Sequence, residues 1–142
     1  MPNTARQRWI VTATWDADDT EPSSYTFKQL DPVGRALNAE AVAAIDLSDA
    51  GMIVVVFPAA IDAAAITLKF KDAPTIDGTY GSYAQDPAGD DIAVTGVQSS
   101  LGVSRSIDLS ICSRFFIKPV FIDVGGDPVE PGAVTVTFMI KE

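Results

Sequence analysis

The chain has no histidine and a single cysteine in 142 residues. Without histidine there is no imidazole base, so Ser-His-Asp and Cys-His nucleophilic catalysis is excluded in its usual form. Zinc sites built on histidine or paired cysteines are excluded for the same reason. Cys112 cannot close an intrachain disulfide, so folding does not depend on oxidation. It stands beside Ile111 and just before Phe115, Phe116 and Ile117, which predicts a small buried side chain rather than a reactive thiol. Long apolar runs are also missing. Residues 51–60, GMIVVVFPAA, are too few to span a bilayer and are broken by Pro58. No signal peptide or lipidation motif is visible, so the ordinary secretory route is not expected. Cations are scarce: 10 Lys and Arg stand against 19 Asp and Glu, a net charge of −9. That argues against nucleic acid and anionic lipid as partners, since both need basic patches. It suits solubility, or a partner with a basic surface.

What is present is β-strand pattern. Residues 65–71, AITLKFK, alternate apolar with polar, and residues 133–141 alternate more cleanly still. Residues 9–15 carry Trp9, Val11, Ala13 and Trp15 on one face. Residues 24–30, 79–84, 92–97, 105–109 and 114–122 are further candidates. The apolar run 52–57 suits a strand buried on both faces. Residues 37–45, LNAEAVAAI, have helix-forming composition but read as extended, because the next strand starts within a few residues. Pro119 donates no ladder hydrogen bond, so its strand lies at an edge there or carries a bulge. Asp, Pro and Gly cluster in DPVGR, DAPTIDG, QDPAGDD and DVGGDPVEPG, which are turns. Many short strands without a long helix predict an all-β fold, an antiparallel β-sandwich. A jelly-roll-like topology is expected over an immunoglobulin one, since the Cys-Trp-Cys framework is absent. The chain divides into an N-terminal arm or edge hairpin, residues 1–36, and a sandwich domain, residues 37–142.

Chemistry-bearing groups are few. Nineteen carboxylates bring some pair together by chance, and the chain is short for a glycosidase cleft. Calcium is the one metal to weigh. Asp16, Asp18 and Asp19 share a loop, Asp86, Asp90 and Asp91 a second, and Asp123 and Asp127 a third. Asp-x-Asp-Asp without the glycine and distal glutamate is not an EF-hand, so turn-forming aspartate on solvated loops is the preferred reading, and no cofactor is expected. Gly125-Gly126 precedes Asp127, which is wrong for a phosphate. Tyr80, Tyr83, Trp9 and Trp15 are candidates for stacking on sugar rings, although such residues are more often core or subunit contacts. The stripe of Trp9, Val11 and Trp15 either closes the chain's own core or docks on a neighbour. We favour docking, as a protein interface, because aromatic anchors concentrate binding energy.

The order of pieces at 66–70, 77–80, 83–91, 107–109 and 114–118 resembles a pattern in small virion proteins of tailed bacteriophages. There an "ITFKAS"-type strand leads to a "DGTY" turn, then a Tyr-Asp-Gly-rich hairpin, then an "RFIKIR"-type strand. The resemblance covers the last two thirds of the chain, leaves the first 36 residues unmatched, and brings no functional residues with it. It implies a structural protein, not an enzyme: a capsid decoration protein, or cement, bound across major capsid subunits in many copies. It also implies a virion localisation after assembly in the host cytoplasm. The alternatives are a head-spike or tail module for a host glycan, or a carbohydrate-binding sandwich.

Overall fold

The structure, a computed structural model, describes residues 8–48, 50, 52–107 and 116–141. Cys112 lies outside them. Eleven strands are described: β1 (Arg8–Trp15), β2 (Ser24–Leu30), β3 (Ala36–Val42), β4 (Ile45–Asp46), β5 (Met52–Val56), β6 (Thr67–Ala73), β7 (Ser82–Tyr83), β8 (Ala93–Thr95), β9 (Ser104–Ile107), β10 (Phe116–Ile122) and β11 (Val134–Lys141). They form two antiparallel sheets. The larger runs β3-β2-β1-β11-β5-β9; the smaller runs β4-β10-β6-β7, with β8 also on β6. This is the predicted all-β sandwich. Its sheets hold six and five strands, where a jelly roll has eight strands in all.

Alternation explains which face each strand buries. In β1 every second residue is core: Trp9, Val11, Ala13 and Trp15. β11 adds Val136, Phe138 and Ile140 from the same sheet, and Leu68, Phe70, Ile117 and Phe121 face them from the other. The sheets interlock through rings. Trp15 meets Phe121 at 5.1 Å between centroids, and Phe70 meets Phe138 edge-on at 6.3 Å. Offset and edge geometries avoid stacking the negative ring faces on each other.

Two expectations need correction. Residues 8–36 are not a separable arm, because β1 sits between β2 and β11 and pairs with both along its length. The run at 52–57 is not buried on both faces either: Ile53 and Val55 are core, while Met52 is exposed and Val54 and Val56 are half-buried. The sheet is covered on one side only there. Residues 36–42 are indeed extended, as β3, for β2 offers a ladder to pair with and tertiary pairing overrides helix propensity. Pro119 keeps an unbroken register with β6, opposite Phe70. Beyond Ile117 the other side of β10 has no β4 residue to meet. It is therefore an edge position, not a bulge.

Three hairpin turns share one design, Asp-x-x-Gly-x, starting at Asp31, Asp86 and Asp123. In each, the aspartate Oδ1 accepts from the backbone N–H groups two and four residues on, at 2.8–3.0 Å. The N–H of the glycine donates to the aspartate carbonyl, and the aspartate N–H to the carbonyl of the fifth residue. The glycines, Gly34, Gly89 and Gly126, have φ of 86–87°, which a side chain would strain. Here the carboxylate stands in for a missing backbone acceptor.

Because β1 is an interior strand, Trp15→Ala should destabilise the chain by about 3–5 kcal/mol. Deleting residues 8–34 should abolish cooperative unfolding altogether. Denaturant titration followed by circular dichroism checks both, and a folded deletion variant would contradict the assignment of β1 to the core.

Candidate interaction surfaces

The predicted interface residues are not at a surface. Trp9 is 9% exposed, Val11 and Trp15 1% each. The stripe closes the chain's own sandwich, and the Trp15 indole N–H donates to the Thr20 carbonyl at 3.3 Å. It is thus a correction to the docking reading: an aromatic stripe on an interior strand packs on the facing sheet before any partner can reach it. The same burial removes both indoles from the sugar-stacking candidates.

The other two aromatics lie near the outer face of the smaller sheet. The Lys118 ammonium sits 4.3 Å from the Tyr80 ring centre, and Lys69 sits 5.2 Å from that of Tyr83. Each ring therefore has a face taken by a cation. The Tyr80 hydroxyl donates to the Ile76 carbonyl at 3.0 Å. Lys69 also bonds Asp91 at 3.0 Å, and the Gln85 amide donates to the other oxygen of that carboxylate. The Gln85 hydrogen bond first, then Lys69, holds the Asp91 carboxyl below its ordinary value. These groups are engaged with each other, which makes a structural lattice rather than an open ligand platform.

Asp16, Asp18 and Asp19 cap the end of β1. The Asp19 N–H donates to the Asp16 carbonyl at 3.1 Å, an ordinary turn. Among the described residues no group of three carboxylate, histidine or cysteine side chains is placed to hold a metal ion. Two clefts exist. One, about 380 Å³ beside β8 and β9, includes Arg105, but its guanidinium already donates to the Thr95 carbonyl and to the Ser100 hydroxyl. The other, about 220 Å³ beneath β3, is lined by Phe27, Val42, Ala44 and Ile76 with Glu40 and Asp46.

The outer face of the six-stranded sheet is the one turned away from the smaller sheet. Cross-strand register sets its rows. Lys28, Ile10, Met139, Val54 and Ser106 stand side by side, and Thr26, Thr12, Thr137, Val56 and Ser104 form the next row. Arg8, Lys141 and Met52 form a third. None of these is buried. The face has an apolar centre and three cations, and among the described residues no Asp or Glu occupies these rows. Arg8 lies directly opposite Lys141, a like-charge pair that costs stability in a sheet. Among the described residues, Arg8, Lys28 and Lys141 make no ion pair; the salt bridges seen are Arg35–Asp31, Lys69–Asp91 and Lys71–Glu21.

The opposite end of the sandwich reverses this balance. Loops 16–23, 57–66, 96–103 and 123–133 hold Asp16, Asp18, Asp19, Glu21, Asp62, Asp123, Asp127 and Glu130, with no Lys or Arg. Hydrogen bonds tie the last three loops together: Asp62 N–H to the Pro131 carbonyl, Phe57 N–H to that of Val103, and the Gln98 amide to those of Asp62 and Ala65. The Trp15–Val134 pairing joins the first loop to the fourth. Val124, 91% exposed, and Val103, 52% exposed, are the exposed large apolar residues among those described in this acidic end. The segregation was invisible in the sequence, where the cations of the face lie at positions 8, 28 and 141.

No family model, no curated protein and no solved structure matches the chain. Among the described residues no helix is long and apolar enough to cross a membrane.

Tyr25 is 5% exposed and its hydroxyl has no hydrogen-bond partner among the described residues. Burial, and next the nearby Glu21, pushes its pKa well above the ordinary phenol value. Removing an unpaired buried hydroxyl relieves a desolvation cost, so Tyr25→Phe should stabilise the chain by about 1 kcal/mol. A fall in the denaturant midpoint would show instead that the hydroxyl is satisfied. Asp91 gives a pH test. Its folded pKa lies below the ordinary 3.8, so its contribution is complete above that value and is lost as pH falls through the folded one. Stability of Asp91→Asn should therefore fall less steeply than that of the parent below about pH 4.

Proposed function

We propose that the chain is a non-enzymatic structural virion protein, and that it serves as a capsid decoration protein bound across major capsid subunits. The observation that carries the reading is the uncovered outer face of the six-stranded sheet. An apolar band of Ile10, Met139 and Val54 on a rigid sandwich is a surface for adhesion, because apolar area left in water by one chain is recovered on contact. Cementing works in this way. Binding energy comes from contact area repeated by symmetry at every joint of a shell, and no bond is made or broken. The resemblance of residues 66–118 to virion sandwiches points the same way. So does a composition without an imidazole base.

A glycan-binding spike or tail module, or a carbohydrate-binding sandwich, draws less support. Such sites need open aromatic faces, and here both tryptophans are buried while lysines sit on the tyrosine rings.

Quantitative mass spectrometry and imaging of purified virions test the proposal. Decoration requires on the order of hundreds of copies spread over the shell lattice. A few copies at a vertex or tail would replace it with the spike reading, and absence from the particle would end the virion reading.

A further inference from the structure

The face that carries cations and the end that carries carboxylates belong to one chain, and they do not overlap. The three cations of the six-stranded sheet gather toward the Arg8 end of β1: Lys141 is opposite Arg8, and Lys28 is opposite Ile10. The acidic loops begin where β1 stops, after Trp15. Eight residues of strand separate the two, roughly 25 Å.

We propose that the outer face of the six-stranded sheet docks the acidic loop end of a second copy of this chain, in a head-to-tail contact. Three observations choose this occupant. First, the charges are complementary. Arg8, Lys28 and Lys141 lack carboxylate partners among the described residues, and the loops at the far end contain no cation to satisfy their own carboxylates. Lys71, which pairs with Glu21, reaches in from β6, and among the described residues Asp16, Asp18 and Asp19 have no ion pair. Second, the apolar parts match. The face presents Ile10, Met139 and Val54, and the acidic end presents Val124 and Val103, both largely exposed. Third, the Arg8–Lys141 juxtaposition is a local cost that an incoming carboxylate converts into a gain.

The same charges decide against a two-fold dimer through this face. That arrangement sets three cations against three cations. The contact is therefore heterologous, and copies either close into a ring or continue as a chain. This inference does not depend on the virion reading, since it concerns the isolated protein; the face serves one contact at a time, so a copy whose face holds a neighbour is not bound to capsid through it.

Sedimentation velocity on the full chain gives the test. The parent should associate with rising concentration. Association should weaken at least tenfold between ~0.1 M and ~1 M salt, as the screening length falls from ~10 Å to ~3 Å. A face variant, Lys28→Glu with Lys141→Glu, should be monomeric. So should an end variant, Asp18→Lys with Glu130→Lys. Mixed in equal amounts, the end variant keeps an intact face and the face variant an intact end. The mixture should associate, because the end variant's intact face takes the face variant's intact end. Circular dichroism verifies that each variant folds. Should a charge reversal not fold, Lys28→Gln with Lys141→Gln keeps the test, and should weaken association in the same direction. A parent that stays monomeric at millimolar concentration overturns the proposal. So does association of either reversed variant alone, which would indicate another surface. A mixture that fails to pair overturns it too.

Discussion

The fold depends on the burial of one strand face. β1 lies inside the larger sheet, and its Trp9, Val11, Ala13 and Trp15 form the floor on which the smaller sheet rests. A buried aromatic of this size removes roughly 150–250 Å² from water, worth several kcal/mol at about 25 cal/mol per Å². Trp15 does so at the point where Phe121 crosses from the other sheet. The ladder partners on either side, β2 and β11, are held in register by the same alternation. A slip of one residue would turn both indoles to solvent.

That arrangement sets what is left for function. Since β1 spends its aromatics inward, its outward residues Arg8, Ile10, Thr12 and Thr14 become the centre of the exposed sheet face. Threonines opposite one another, such as Thr14 and Thr135 at 3.0 Å, bond across the strands and keep part of the face polar. Two rows on, Ile10, Met139 and Val54 are apolar between Lys28 and Ser106. Turns do the complementary work at the strand ends. Aspartate is used there for its ability to receive two backbone N–H groups at once, and this loads the loops with negative charge as a by-product of closing hairpins. Of these turns only that at Asp123 lies in the acidic end; the Asp31 turn follows β2 at the Arg8 end, where the Arg8 guanidinium donates to the Pro32 carbonyl. Strands that must pair take Thr, Val and Lys outward, and tight turns take Asp and Gly.

The proposed adhesive role needs no chemistry beyond this. A sandwich tied by ring contacts and turn hydrogen bonds is stiff, so contact with a partner costs little ordering entropy. The Tyr–Lys–Asp lattice on the smaller sheet adds to that stiffness, with Lys69 shared between the Asp91 carboxylate and the Tyr83 ring. Salt bridges at half-exposed positions such as this add little to stability individually. Their effect lies in holding the loop around residues 85–91 against β6.

Much of the local structure was legible in the sequence alone. Period-two alternation located β2 at residues 24–30 and β11 near 134–141, and Asp-Pro-Gly clusters marked the turns, because strand pleat and turn geometry depend on near neighbours. The absence of histidine and of a second cysteine limited the chemistry before any fold was considered. What the sequence left open was every question about which face meets what. The stripe of Trp9, Val11 and Trp15 reads identically as core or as interface, since alternation reports that a face is apolar and not what covers it. Only the pairing of β1 with β11, 121 residues later at Thr14 and Thr135, places that strand inside the sheet and its indoles inside the core. The cationic face is likewise a product of tertiary structure. Arg8, Lys28 and Lys141 come together only because three strands distant in sequence lie side by side, and the energy that aligns them is the burial on the opposite side of the sheet.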